Sequence, residues 1–140
     1  MSELTPKTKE LFDRLRALEL PKGSYVVFGS GPLAIRGLKE PHDLDVVVTE
    51  DVYNEYKVKE GWKELVRNDD TCMVKDGIEL WYSWTPDTWD VGVLIQQAEE
   101  IDGLPFVPLP QVLIWKVSSG RSEDLEDVER IRAHLAQQQG

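Results

Sequence analysis

Cysteine is nearly absent: Cys72 is the only one in 140 residues. Without a partner in the chain it closes no intramolecular disulfide, and a reducing, cytoplasmic setting is the simple expectation. Long apolar runs are missing as well. No stretch approaches the roughly 20 residues that a bilayer-spanning helix requires, so no membrane association is expected. The opening residues "MSELTPKTKE" are polar and of mixed charge, unlike a secretion signal. Positive charge is scarce. Sixteen Lys and Arg against 26 Asp and Glu leave a formal net charge of −10. That deficit argues against a passive, sequence-independent grip on DNA or RNA, which needs a basic face. Direct nucleic-acid binding is expected only with a partner that supplies such a face. A nucleotide is not excluded, because a bound divalent metal inverts the local sign. Internal repeats and low-complexity linkers are also lacking.

What is present suits one domain over residues 1–140. A chain of this length buries about two-thirds of its unfolded surface. Five tryptophans point to a well-filled core or to flat stacking surfaces. Residues 6–20 carry Leu11, Phe12, Leu15 and Leu18 at helical spacing. "SYVVF" reads as a buried strand, and Pro32 to Gly37 as a short helix. "DLDVVVT" is a second strand, and Thr49 caps a helix ending at Gly61. "WKELV" and "TCMVKDGIELWYSW" give three more strands, the last two joined by "KDG". "TPDTWD" opens a short helix, "VGVLIQQAEE", and "IDGLPFVPLP" is a loop with an edge strand. Two helices close the chain, the second with Leu125, Val128, Ile131 and Leu135 on one stripe. Its acidic residues Glu123, Asp124, Glu126 and Asp127 crowd the first turns, where the helix dipole favours them. Strands gather in the first two-thirds and helices at the end. The expected class is α+β, a mixed sheet flanked by helices.

The chemistry concentrates in "FGSGPLAIRGLKEPHDLDVVVT", residues 28–49. Side chains alternate along a strand, so Asp43 and Asp45 point the same way. Two carboxylates side by side repel, and one is driven toward protonation unless a cation sits between them. Hard oxygen ligands at this spacing suit Mg²⁺ or Mn²⁺. Upstream, Gly29-Ser30-Gly31 joins a strand to a helix, which leaves backbone N–H groups free at a helix start. The glycines permit close approach of a phosphate, and Ser30 adds a hydroxyl. A triphosphate bridged by metal fits between the two. Each feature also has a plainer reading: a solvated strand edge for the aspartates and a routine turn for the glycines.

A Gly-Ser turn, a helix bearing Arg-Gly, and Asp-x-Asp opening an apolar strand together resemble the nucleotidyltransferase superfamily with the DNA polymerase β-like fold. The likeness is greatest to its small, minimal members and runs from about Tyr25 to the last helix. "LPQVLIWKVSSGRSEDLEDVERI" also resembles the closing helices of such proteins, in which a lysine precedes an arginine and an acidic stretch. The resemblance implies that Gly29 and Ser30 hold triphosphate oxygens and that Asp43 and Asp45 bind metal. It also implies a third carboxylate on a later strand, for which Glu79 in "GIELWYSW" is the candidate, although aspartate is more usual there. Arg36 is either an ion-paired structural arginine or a phosphate ligand. Lys116 either reaches the phosphates or snorkels. His42 is either a loop histidine or a secondary ligand. Trp81, Trp84 and Trp89 suit packing more than base stacking, and Trp81 is expected to share a face with Glu79.

Two functions follow. One is an enzyme that transfers a nucleoside monophosphate from a nucleoside triphosphate such as ATP to a hydroxyl acceptor, with Mg²⁺ or Mn²⁺, inside or outside a toxin–antitoxin system. The other is a non-catalytic nucleotide-binding or partner-binding, antitoxin-like module of the same fold, in contact with a protein partner.

Overall fold

The computed structural model describes residues 4–67, 70–84 and 89–139. Seven strands form one mixed sheet, in the order β3-β4-β5-β2-β1-β7-β6. The chain begins with α1 (Pro6–Ala17), whose first turn is capped by Thr5: its side chain accepts from Thr8 N. Then come β1 (Tyr25–Phe28), the single-turn α2 (Gly31–Ala34), β2 (Leu44–Val48) and α3 (Glu50–Lys57). Strands β3 (Lys63–Arg67), β4 (Asp70–Lys75) and β5 (Ile78–Trp81) follow, then α4 (Val91–Gln96). A second hairpin of β6 (Glu99–Ile101) and β7 (Leu104–Phe106) precedes α5 (Leu109–Ser119) and α6 (Ser122–Gln139).

The β4–β5 and β6–β7 hairpins turn at Asp76-Gly77 and Asp102-Gly103, with both residues of each pair at positive φ. This is the two-residue turn that matches strand twist. Strand β1 lies antiparallel to β2, and β2 lies parallel to β5. The amide of Leu44 donates to Gly77 O at 2.8 Å. That bond ties the start of β2 to the β4–β5 turn and sets Asp45 directly opposite Glu79.

Alternation divides the core between the sheet's faces. Leu44, Val46, Val48, Ile78 and Leu80 pack under Leu11, Phe12 and Leu15 of α1 and Tyr53 and Tyr56 of α3. On the other face Val26, Phe28, Val47 and Trp81 meet Leu33, Leu94, Val112, Trp115 and Ile131. Each such buried large side chain contributes about 1.5–3 kcal/mol. Asp45 and Glu79 alternate with the first group and therefore belong to this second face.

Three expectations are corrected. Glu99 and Glu100, read as the end of a helix, and Ile101, read as loop, form β6, and β7 pairs with β1 and so lies inside the sheet. The turn at Asp102-Gly103 outweighs the helical reading of the acidic run before it. Leu125 is exposed, and Asp124 and Asp127 take inward positions on α6 with Val128 and Ile131. Asp43 precedes β2 instead of opening it. The proposed helix-opening residues 85–88 lie outside the described residues.

Candidate functional site

The end of β1 supplies the first wall. Gly29 has φ +62, and a Cβ there would collide with Asp45 Oδ2. Only glycine leaves room for that carboxylate. A Cβ on Gly31 would strike Val27 Cγ1, so the turn is packed tightly onto the sheet. Ser30 stands at the start of α2 with no capping bond from its side chain. Its hydroxyl is not committed to the helix.

Gly29, Ser30, Asp43, Asp45, Glu79 and Lys116 all line one cleft of about 620 Å³, a size that suits a small-molecule ligand. The fold thus gathers six of the seven residues singled out from the sequence. Arg36 is the exception. Its guanidinium donates to Pro32 O and to Glu99 Oε1, both at 2.7 Å, and the side chain is not among those lining the cleft. The ion pair with β6 uses up the charge that a phosphate would need. His42 lines the rim.

Asp45 and Glu79 face each other across the parallel β2–β5 pair, near enough for their carboxyls to share a proton. Burial raises the Asp45 pKa, with Asp43 adding to the effect, and outweighs the bonds to Glu79 and Trp81. Burial and then the charge of Asp45 push Glu79 up to about 8. Both groups are short of positive charge. Trp81 shares the face of Glu79, two residues on, and its Nε1 donates to Asp45 Oδ1 at 3.2 Å. That bond fixes one oxygen of the carboxylate. Beneath them burial pushes the Cys72 thiol up to about 12, which removes it as a nucleophile at neutral pH.

Among the described residues, no three His, Cys, Asp or Glu side chains stand close enough together to cage a metal ion. Asp43 faces the cleft from the loop, beside the Asp45–Glu79 pair and not in a closed ring with it. The donor chemistry nevertheless fits a hard divalent cation: two opposed carboxylates with one half-exposed guanidinium, that of Arg67, 3.4 Å from Glu79.

The opposite wall comes from α5 and α6. Lys116 is buried, with Nζ 2.8 Å from Asp127 Oδ2, 3.3 Å from Asp124 Oδ1 and 4.8 Å from the Trp115 ring centre. It does not snorkel. Asp127 also receives Lys39 at 2.8 Å and Arg130 at 2.7 Å, and Asp124 receives Arg121 at 2.8 Å. Burial alone would raise both aspartates, but the surrounding cations and hydrogen bonds win and hold both below the usual range. Trp84 stacks on Phe28 at 4.8 Å and meets Trp81 edge-on at 5.8 Å, so these rings mainly pack on one another.

Sequence reasoning missed Lys39, Arg67, Arg121 and Asp127 as parts of this neighbourhood. The arginine-then-acidic pattern after Lys116 was the only signal for any of them. Lys39 and Arg67 are single basic residues in a loop and at a strand end.

The architecture defines the class: among the described residues, a seven-stranded mixed sheet flanked by helices, an α+β fold. A crystal structure from Thermotoga maritima, described as a "putative nucleotidyltransferase", matches with a TM-score of 0.61 over 96% of each chain, at 22% identity. At that identity the likeness is one of fold. No family model and no curated protein sequence matches the chain. Among the described residues, no helix is long and apolar enough to cross a membrane.

Proposed function

We propose that the cleft binds a nucleoside triphosphate with Mg²⁺ or Mn²⁺ and transfers the nucleoside monophosphate to a hydroxyl acceptor. The observation that carries this reading is the Asp45–Glu79 pair opposed across two parallel strands, beside the Gly29-Ser30 turn in one cleft. The fold match to a protein described as a nucleotidyltransferase supports a nucleotide substrate. In the transfer, the acceptor oxygen bonds to the α-phosphorus, the bond to the bridging oxygen breaks, and pyrophosphate leaves. Asp45 and Glu79 would hold the cation, with Asp43 facing it from the loop, and the cation would stabilise charge on the attacking and leaving oxygens. Glu79 would either complete the metal set or act as the base that takes the acceptor proton. The backbone at Gly29-Ser30 and the Ser30 hydroxyl hold phosphate oxygens, and on the facing wall Lys116, with Lys39, Arg121 and Arg130, outnumbers Asp124 and Asp127 and adds positive potential. The net charge of −10 favours an acceptor other than bare nucleic acid, or a protein partner, as in a toxin–antitoxin pair.

The test is thermal shift with each nucleoside triphosphate and Mg²⁺, with EDTA as control, followed by pyrophosphate release. Stabilisation by at least one triphosphate, lost with EDTA, is expected. No shift with any nucleotide would sink the reading. A second reading, nucleotide binding without transfer, draws on the lack of a closed three-carboxylate cage. Binding without pyrophosphate release on any acceptor would favour it.

A further inference from the structure

Among the described residues, four basic side chains with long reach line the cleft: Lys39, Arg67, Lys116 and Arg121. Three are tied to α6, Lys39 to Asp127, Lys116 to Asp124 and Asp127, and Arg121 to Asp124. Arg67 turns the other way. Its Nη2 lies 3.4 Å from Glu79 Oε2, an ion pair with a strand carboxylate. It comes from the last residue of β3, the sheet's edge strand, whose residues are all exposed.

The pair is lopsided. The Arg67 side chain is 47% exposed and that of Glu79 only 5%. A flexible, half-solvated side chain reaches in from the rim to a fixed, buried acid. The distance exceeds the roughly 2.7–2.9 Å of a strong charge-assisted bond, and half of the Arg67 side chain already faces water. Its charge acts on Asp45 and Cys72 as well as Glu79. It therefore serves the whole buried cluster, not one partner.

We propose that Arg67 is an exchangeable counter-ion: it neutralises Glu79 while the carboxylate pair holds no cation, and a divalent cation enters by displacing it. The physical reason is competition for one buried acid. A guanidinium and a divalent ion repel, and both satisfy the same oxygens. This rests on the metal-binding reading above and adds what that reading does not require, a cost of binding set by a residue on an edge strand.

The experiment is Mn²⁺ titration followed by the electron paramagnetic resonance of free Mn²⁺, without nucleotide, on the full chain and on Arg67→Gln and Arg67→Lys. Arg67→Gln is expected to bind Mn²⁺ about fivefold more tightly, in line with the loss of one partly exposed ion pair. Arg67→Lys should fall close to the unsubstituted chain. Circular dichroism melts confirm that the variants fold. Equal or weaker Mn²⁺ binding by Arg67→Gln, with the unsubstituted chain binding normally, overturns the exchange and leaves the metal reading standing. Failure of all three chains to bind Mn²⁺ overturns both.

Discussion

Asp45 and Asp124 are two aspartates on facing walls of one cleft, and the protein treats them in opposite ways. Asp124 and its neighbour Asp127 share Lys39, Lys116, Arg121 and Arg130, and their pKa values are held low. Glu79 has Arg67 at 3.4 Å, Asp45 feels that charge only from farther off, and the pKa values of both acids are pushed up. Burial is common to both sets and so cannot explain the difference. The supply of counter-charge does. A buried acid with its cations in place is a structural joint, here binding the loop before β2 to α5 and α6. A buried pair left short of charge is a place where a cation from solution can be stabilised.

The comparison can be broken most sharply by the same type of change on each wall. Asp45→Asn is expected to lower nucleotidyl transfer on the order of 10³-fold. It should leave the thermal midpoint of the metal-free protein unchanged or raised, because an uncompensated charge is removed. Asp127→Ala should cost about 3–5 kcal/mol of stability in urea unfolding, because it leaves buried Lys116 without its closest partner. Similar destabilisation by both changes would abolish the distinction.

Trp81→Phe keeps the ring and removes the donor to Asp45. A loss of about 10- to 100-fold in Mn²⁺ affinity is expected, with the melting temperature little altered. An unchanged Mn²⁺ titration would reduce Trp81 to packing. Ser30→Ala should weaken nucleoside triphosphate binding by about 1 kcal/mol, roughly fivefold, while Mn²⁺ binding alone stays the same. Loss of both would place Ser30 with the metal side.

The comparison also sets the sign of a slope with pH. Glu79 has a raised pKa in the folded state, so its contribution is full below about 4.5 and is lost as pH rises through about 8. Metal-free melts should therefore fall over that range, and Glu79→Gln should flatten the fall. Asp124 and Asp127 carry the opposite sign. Their contribution is present above the usual aspartate range and is lost as pH falls through their lowered values. An alkaline slope that survives Glu79→Gln would show that another group is responsible.

Much of the molecule was legible because its signals are local. The alternation in "DLDVVV" and "GIELW" puts Asp45 and Glu79 on one face, and the Gly-Ser turn marks the end of β1. Other features depend on which strands are neighbours. Asp43 lies outside β2 because the Leu44 amide, bonded to Gly77 O, is where the strand begins. Nothing in the local pattern shows that bond. The residues Asp124 and Asp127 look like an ordinary acidic helix start, since the dipole there favours acids whether or not they are buried. Asp127 meets Lys39, 88 residues away, and Asp124 meets Lys116 of the preceding helix. Arg36 had the right neighbours in sequence for a phosphate ligand, and Glu99 of β6 claimed it instead. The strand β6 was itself hidden inside a helical pattern.

The central claim is that the charge-poor pair, not the charge-balanced wall, receives the cation. A crystal structure with Mn²⁺ and a non-hydrolysable nucleoside triphosphate tests it most directly through the anomalous signal of the metal. The account predicts a peak between Asp45 and Glu79, with phosphate oxygens at the Gly29-Ser30 turn and Arg67 drawn off Glu79. A nucleotide bound with no metal peak there, and with Arg67 still on Glu79, would contradict it.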